Sequence, residues 1–316
     1  MPNAIALSNV LCSRAVRRRI KNTVIYVAVR ALIGAIGLVP APVARRLGLA
    51  LGALGYRLAG RERRRARTQL ARALGLAPES RRARLLARGV FAQLGVSAVE
   101  VCRLLRDPSA LDAVEIPEAS RRALESALAG GRGAVFATGH IGNWELMAAA
   151  LARAGFPITA IAKESYDPRF TRLVEGGRRR LGVEVIHRGR AGSSAATLRA
   201  LRRGRVLGLL IDQDTRAPGA FVPFFDAPAF TPIGAASLAM RTGASLVVGT
   251  IRRTPRGGHV IDIEKCTAPA DATEGTAALT AVLERRIRSH PSQWVWFHER
   301  WKTQSVSAMV RAEVTG

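Results

Sequence analysis

The sequence is poor in cysteine, in aromatic residues and in acidic side chains. Its 316 residues include three cysteines, which are far apart and form no C-x-x-C pair. This spacing argues against a disulfide framework and against a cysteine-based zinc site. Aromatic residues make up only 5% of the chain, so alanine, leucine and valine must build most of the core. With 48% hydrophobic residues the chain can still bury a large core, which excludes a disordered or fibrous protein.

The shortage of acidic residues leaves a strongly basic chain. Lysine and arginine number 49 against 23 aspartates and glutamates, which gives a formal net charge of +26. An anionic partner is therefore expected. Nucleic acid is not expected, because the sequence contains no zinc-finger, RNP-like or KH-type motif. The charge is concentrated in residues 1–100, where 19 basic residues stand against 3 acidic ones.

Two apolar stretches, residues 23–39 and 47–56, lie inside this basic region. The first is 17 residues long with Arg30 at its centre, somewhat short of the ~20 residues that cross a bilayer. Basic residues that flank apolar ones suit an anionic membrane surface on the cytoplasmic side. We therefore expect residues 1–58 to form a basic, membrane-associating helical segment. A signal peptide and an ordinary buried helix pair remain open alternatives.

The remainder of the chain predicts an α/β domain over residues 59–305, followed by a tail over 306–316. Helical periodicity dominates up to residue 105, and short apolar runs then alternate with amphipathic helical segments. Such alternation indicates a mainly parallel sheet flanked by helices. The strands are expected at 134–138, 158–162, 183–187, 206–211, 245–250 and 260–263, the last two as a hairpin. The intervening helices are expected at 144–154, 170–181, 194–203, 234–242 and 274–289.

Polar side chains follow several of these strands at the point where each strand ends. The segment Gly139 to Glu145 follows the first strand, Lys163 follows the second, and Asp212 and Asp214 follow the fourth. In a parallel sheet these ends share one edge, where ligands bind. The sequence therefore predicts an active site at this edge.

His140 and Glu145 are the strongest candidates for chemistry. If Gly139 and Gly142 let the chain turn before a helix starts near Asn143, the imidazole can fold back against the Glu145 carboxylate. One ring nitrogen would then be held by the carboxylate and the other would be free to take a proton. No nucleophile elbow, P-loop or dinucleotide motif is present, so a hydroxyl of the substrate is the expected nucleophile.

The motif Gly139-His140-Ile141-Gly142-Asn143-Trp144-Glu145 resembles the HxxxxD/E signature of the lysophospholipid acyltransferase superfamily. Further segments extend the likeness to the bacterial lipid A biosynthesis (late) acyltransferases. They are an RxxxG element at residues 178–182, an acidic strand end at 210–214, an apolar run at 221–225 and a Trp-rich segment at 293–300. The ordered series covers about residues 60–303.

The resemblance implies a membrane-bound acyltransferase of the bacterial inner membrane, with its active site facing the cytoplasm. It implies transfer of a fatty acyl chain from acyl carrier protein to a hydroxyl of a phosphorylated glucosamine lipid, a lipid A precursor. No metal or cofactor is expected. Another glycolipid or lysophospholipid acceptor remains open, as does a non-catalytic basic protein that binds membranes or nucleic acid. Lys163-Glu164 and Asp226 depart from the family pattern of Arg-Pro and Gly.

The catalytic assignments are His140 as general base and Glu145 as the carboxylate that orients it. The sequence does not identify the groups that stabilise the oxyanion; backbone N–H groups near Gly142 and at the start of the following helix are candidates. The remaining assignments are residues that contact the substrate, Lys163, Arg178, Asp212, Asp214 and Asn143, and residues that line an acyl groove, Phe221, Phe224 and Phe225.

Overall fold

The fold was taken from a computed structural model that describes residues 3–304, with side chains from residue 20 onward. The helices are α1 (Asn3–Gly37), α2 (Ala41–Leu58), α3 (Gly60–Leu74), α4 (Arg81–Leu104), α5 (Glu118–Leu128), α6 (Trp144–Arg153), α7 (Pro168–Arg180), α8 (Ser193–Arg202), α9 (Gly234–Thr242) and α10 (Ala272–Ser289). The strands are β1 (Val114–Glu115), β2 (Ala134–Thr138), β3 (Ile158–Ala162), β4 (Glu184–His187), β5 (Val206–Leu210), β6 (Gly219–Phe224), β7 (Ala227–Pro232), β8 (Ser245–Arg253) and β9 (His259–Lys265). The predicted tail at 306–316 lies outside the described residues.

A seven-stranded sheet with the order β1-β9-β8-β2-β5-β3-β4 forms the centre of the fold. Every neighbouring pair is parallel except β8 and β9, which form the predicted antiparallel hairpin. The predicted α/β class is confirmed. Each of the six predicted strands and five predicted helices is present, with boundaries that differ by no more than three residues.

The sheet is buried on both faces because alternate residues of its strands enter two different cores. On one face Val135 and Leu207 pack with residues of α3, α4, α9 and α10. On the other face Phe136 and Val206 pack with residues of α5 and α6. All five residues of β2 are buried, as expected for a central parallel strand. Because β2, β5 and β3 pair in parallel, their carboxyl ends lie together at one edge of the sheet.

Helix α2 packs on α4 through glycines that bring the two backbones into contact. A Cβ on Gly52 would lie 2.5 Å from the carbonyl oxygen of Phe91, and a Cβ on Gly95 would collide with the carbonyl oxygen of Gly48. Side chains larger than hydrogen cannot enter this contact, so the glycines fix the position of α2. The other faces of α2 expose apolar side chains: Val43, Leu49, Leu51, Leu54 and Leu58.

Two helical segments of the described chain are long and apolar enough to cross a membrane, Ile20–Gly37 and Arg81–Leu104. Only 6% of the first is buried, against 28% of the second. Helix α4, which contains the second, contributes Ala87 and Val90 to the main core. It is therefore a helix of the α/β domain, whereas the Ile20–Gly37 part of α1 has little protein around it.

The antiparallel pair β6 and β7 was not predicted, and it changes the interpretation of the apolar run at 221–225. Phe224 and Phe225 are buried. The Phe224 ring packs edge-on against Trp294, and the Phe225 ring lies tilted against Trp296. Phe221 is partly exposed beside Phe230. These contacts place Phe224 and Phe225 in the core. The C-terminal tryptophans are buried as well: Trp294, Trp296 and Trp301.

Candidate active site

The loop between β2 and α6 carries His140 and depends on two glycines. A Cβ on Gly139 would lie 2.9 Å from Oδ2 of Asp212, so a side chain there would displace that carboxylate. Gly142 has a φ of +62°, and a Cβ there would collide with the carbonyl oxygen of Ile251. Both positions therefore require glycine. The loop turns before α6 begins, as predicted, and Asn143 is the N-cap of that helix.

The carboxylate that contacts the His140 ring is Asp212, not Glu145. Oδ1 of Asp212 lies 2.8 Å from Nδ1 of His140, and its Oδ2 accepts the His140 backbone N–H at 2.6 Å. Trp294 donates its indole N–H to the same Oδ2 at 2.7 Å. Because an ionised carboxylate only accepts hydrogen bonds, Nδ1 carries the proton and Nε2 is left with its lone pair. The ring is therefore arranged as a base at Nε2.

Asp212 remains ionised although it is buried. Burial by itself raises the pKa of a carboxyl group. Here the His140 ring, the Trp294 N–H and the His140 backbone N–H outweigh burial and lower the pKa of Asp212 to about 2. The carboxylate is consequently charged at any pH at which the protein is expected to work.

Glu145 pairs with Arg178 instead of His140, which corrects the sequence-based assignment of its partner. Arg178 donates from Nε to Oε2 at 2.9 Å and from Nη2 to Oε1 at 2.5 Å. Both side chains are about one fifth exposed. The five-residue spacing places Glu145 on the first turn of α6, where it faces α7, the helix that carries Arg178. The pair joins the HxxxxE and RxxxG motifs.

Two further side chains border the His140 ring. His298 and Trp144 contact it edge-on, with ring centroids 5.0 and 4.9 Å away. Nε2 of Gln213 lies 2.9 Å from Nε2 of His298 and 3.1 Å from Nε2 of His140. Burial, together with the cationic forms of His140 and Arg300, lowers the pKa of His298 to about 4 against the opposing effect of Asp212. His298 is therefore neutral at physiological pH.

Asn143 serves a buried network and not the substrate, contrary to its assignment. Its Oδ1 accepts the backbone N–H of Leu146, and its Nδ2 donates to Glu100 of α4 at 3.0 Å. Arg253 of β8 forms an ion pair with the same Glu100 and donates to Gln93. The network ties the start of α6 to α4 and to the end of β8. Asn143 is 2% exposed, so it has no surface to offer a ligand.

A cavity of about 760 Å³ opens beside His140, between the carboxyl ends of β2, β3 and β5 and the helices α6 and α7. That volume is typical of a ligand site. Its polar end contains His140, Gln213 and the Glu145–Arg178 pair. Its apolar part is lined by Phe136, Met147, Leu151, Ile158 and Val206, among others. Phe221, Phe224 and Phe225, the residues expected to line an acyl groove, are not part of its wall.

Among the other assigned residues, Lys163 is exposed at the cavity wall and remains a candidate for substrate contact. Asp214 accepts hydrogen bonds from the backbone N–H and the hydroxyl of Thr303, so it anchors the C-terminal segment. Within residues 20–304 no cluster of three or more His, Cys, Asp or Glu side chains is placed to hold a metal.

Sequence reasoning missed the roles of Gln213, Trp294 and Glu100. Gln213 lies between the two acidic residues that were singled out, and that position next to a strand end was the available signal. The contacts of Trp294 and Glu100 span 82 and 43 residues of sequence, and no local pattern reveals them.

Comparison with known proteins identifies the family. The sequence profile described as "Bacterial lipid A biosynthesis acyltransferase" matches residues 11–303. The chain belongs to this family.

The similar curated proteins divide into two kinds of acyltransferase. A phosphatidylinositol mannoside acyltransferase of Mycobacterium tuberculosis (strain CDC 1551 / Oshkosh) is 32% identical over 186 residues, 56% of this chain and 57% of that protein. The lipid A biosynthesis lauroyltransferase of Escherichia coli K12 is 36% identical over 113 residues, 34% of this chain and 37% of that protein. The lipid A biosynthesis palmitoleoyltransferase of the same strain is 28% identical over 151 residues, 45% of this chain and 48% of that protein. The matches thus span less than two thirds of each relative.

The two carboxylates are expected to respond differently to mutation. Asp212→Asn should lower the kcat of acyl transfer about 10³- to 10⁴-fold, because the ring loses the partner that fixes its tautomer. Glu145→Gln should act through Arg178. The decrease in kcat caused by Glu145→Gln should therefore be largely contained in the decrease caused by Arg178→Gln, so that the double variant is little worse than either single variant. The decreases caused by Glu145→Gln and Asp212→Asn should instead add in free energy. A double-mutant cycle on purified full-length protein measures both couplings. Additive losses for Glu145 and Arg178, with coupling between Glu145 and Asp212, would contradict the observed pairing.

Proposed function

We propose that this protein transfers a fatty acyl chain from a thioester donor to a hydroxyl group of a glycolipid at a bacterial membrane. The observation that carries the proposal is the Asp212–His140 pair at the polar end of a largely apolar cavity. Asp212 occupies Nδ1, so Nε2 is the basic nitrogen of a ring that lines the cavity. Membership of the family supports acyl transfer, and the names of the similar proteins support a glycolipid acceptor.

In the proposed reaction the acceptor hydroxyl gives its proton to Nε2 of His140 while its oxygen attacks the thioester carbonyl carbon. The carbonyl becomes a tetrahedral oxyanion, and Asp212 stabilises the imidazolium that forms. The oxyanion then collapses, the carbon–sulfur bond breaks, and the thiolate takes the proton from Nε2. The products are the acylated lipid and the free thiol, and His140 returns to its starting form.

The acyl chain is proposed to occupy the apolar part of the cavity. Gly208 of β5 lies between Phe136 of β2 and Ala160 of β3 in the register of the sheet. All three line the cavity, and a Cβ on Gly208 would meet nothing closer than the Thr159 carbonyl oxygen at 3.8 Å. The missing side chain thus leaves space above the sheet that a hydrocarbon chain can fill.

The polar side of the cavity suits phosphorylated partners. Basic side chains line its wall: Lys163, Arg178, Arg188 and Arg241. They would attract the phosphates of a lipid A precursor and the acidic surface of acyl carrier protein, the donor that we propose. A phosphatidylinositol mannoside is the second candidate acceptor, because the similarity to that group of enzymes extends over 186 residues against 113 for the lauroyltransferase.

An acceptor panel tests the proposed function. Purified full-length protein in mixed micelles is given acyl carrier protein or coenzyme A thioesters together with a lipid A precursor, a phosphatidylinositol mannoside or a lysophospholipid. We expect acyl transfer to a glycolipid. At low salt the rate should be higher with the carrier-protein thioester than with the coenzyme A thioester. His140→Ala should lower the rate at least about 100-fold. A protein that releases no thiol with any donor, or a His140→Ala variant as active as the parent, would overturn the proposal.

Filling the cavity at Gly208 is expected to shorten the acyl chain that the enzyme accepts. The series Gly208→Ala, →Val and →Leu adds one, three and four carbons above the sheet. Since each buried methylene contributes about 0.8 kcal/mol, a side chain that displaces two methylenes should lower kcat/KM for the longest donors about tenfold or more. Donors of increasing chain length are compared for each variant. Equal losses for short and long donors would show that the chain lies elsewhere.

Attachment to the membrane is proposed to occur through α1 and α2. Their exposed apolar side chains form one continuous sequence region, from Ile20 to Leu58. Exposed arginines accompany it: Arg45, Arg46, Arg57, Arg61 and Arg64. Apolar insertion and attraction to anionic headgroups act together on such a surface. We propose the inner membrane, with the catalytic cavity on the cytoplasmic side, where thioester donors are made.

Vesicle flotation checks this attachment. The double variant Leu54→Glu/Leu58→Glu removes two side chains that are 51% and 76% exposed. It should float less with anionic vesicles than the parent, because two charges replace apolar anchors. Met240→Glu, which changes a 43% exposed side chain on α9, is the control and should float like the parent. Equal flotation of all three proteins would remove α2 from the membrane-binding surface.

A further inference from the structure

The proposed reaction creates an oxyanion, and the candidate backbone donors of residues 140–142 are already engaged. Three successive N–H groups of the catalytic loop donate to acceptors within the protein. They are His140 N to Asp212 Oδ2 at 2.6 Å, Ile141 N to the Gly139 carbonyl at 2.8 Å and Gly142 N to the Gln293 carbonyl at 2.8 Å. The N–H groups of residues 140–142 are therefore not available as oxyanion donors.

The Gln213 side chain carries an N–H donor next to the base. Its Nε2 lies 3.1 Å from Nε2 and 3.2 Å from Nδ1 of His140. The lone pair of Nε2 points away from the ring, so a donor that meets it head-on would lie much farther from Nδ1 than from Nε2. Because the amide nitrogen is almost equally far from both ring nitrogens, it lies over the ring and not in its plane. The lone pair remains open to the acceptor hydroxyl. Gln213 also lines the cavity.

We propose that Gln213 donates the hydrogen bond that stabilises the oxyanion of the tetrahedral intermediate. The attacking hydroxyl must lie in line with Nε2, and the thioester carbonyl must lie against that hydroxyl. A carbonyl oxygen directed toward the side of the ring on which the amide lies comes within hydrogen-bond reach of the Gln213 N–H. The inference rests on the proposed acyl transfer and adds to it a catalytic residue.

His298 is the positioning residue for this amide. Its Nε2 lies 2.9 Å from the Gln213 nitrogen, and its neutral ring can accept one of the two amide protons. The second proton is then directed toward the cavity. Arg178, a cation of the same cavity, already gives two N–H groups to Glu145, so it is less free to meet the new charge.

The decisive experiment uses Gln213→Met, which keeps an unbranched side chain of similar length but has no N–H. We expect kcat for transfer to fall about 100- to 1,000-fold with little change in KM, the usual cost of one oxyanion donor. Hydrolysis of the thioester in the absence of acceptor should fall by the same factor, since water attack forms the same oxyanion. The parent and Gln213→Met are compared in both assays.

Two inert analogues of the donor separate the possible roles by binding alone. A thioether ketone mimics the ground state, and a phosphonate mimics the tetrahedral intermediate. The phosphonate should bind Gln213→Met at least about tenfold more weakly than the parent, while the ketone binds both equally. If transfer falls but phosphonate binding is unchanged, Gln213 is not the oxyanion donor, although acyl transfer itself stands. If the parent shows no transfer, the proposed function fails instead.

Discussion

The buried carboxylate of Asp212 is the interaction on which the site depends. A charge in the interior is costly unless several donors surround it, and three groups from two distant parts of the chain do so. They are the ring and backbone of His140 after β2 and the indole of Trp294 near the C-terminal end. Asp212 itself follows β5, a strand paired with β2. Satisfying one carboxylate therefore fixes the catalytic loop, the central strands and the tryptophan segment relative to one another.

The strands and helices of the sheet domain were predictable, because the spacing of apolar residues within each segment indicates its secondary structure without knowledge of the tertiary contacts. The edge at which the site lies was predictable for the same reason. The partner of His140 was not, since Asp212 is 72 residues away and the nearer carboxylate, Glu145, suited the spacing equally well. Only the pairing of β2 with β5 decides between the two carboxylates. Glu145 is left to pair with Arg178.

The β6–β7 hairpin shows a different limit of the sequence pattern. Three prolines lie in its strands, Pro223, Pro228 and Pro232, and proline normally argues against a strand. A separate two-stranded pair tolerates them. Its turn places Phe225 and Asp226 at φ values of 51° and 60°, where glycine or asparagine is the usual signal. Burial of the Phe225 ring against Trp296 helps to hold this unusual backbone.

The path from the proposed membrane surface to the chemistry is short. Helix α2 is locked to α4 by the contact among Gly48, Gly52 and Gly95. Helix α4 in turn carries Glu100, which meets Arg253 and the Asn143 cap of the catalytic helix α6. The apolar α2 surface and the loop of His140 are thus connected through one helix, α4. An enzyme acting on lipid gains from such a connection, because its cavity keeps a fixed position relative to the bilayer.

Nitrogen NMR of the histidine side chains tests most directly whether Asp212 sets the state of the base. Full-length protein with ¹⁵N-labelled histidine is measured in nanodiscs at alkaline pH, and His140→Gln identifies the signal among five histidines. The structure requires a protonated Nδ1 and an unprotonated Nε2, with that preference weakened in Asp212→Asn. A ring that carries its proton on Nε2, or one whose tautomer is the same in Asp212→Asn, would contradict the account.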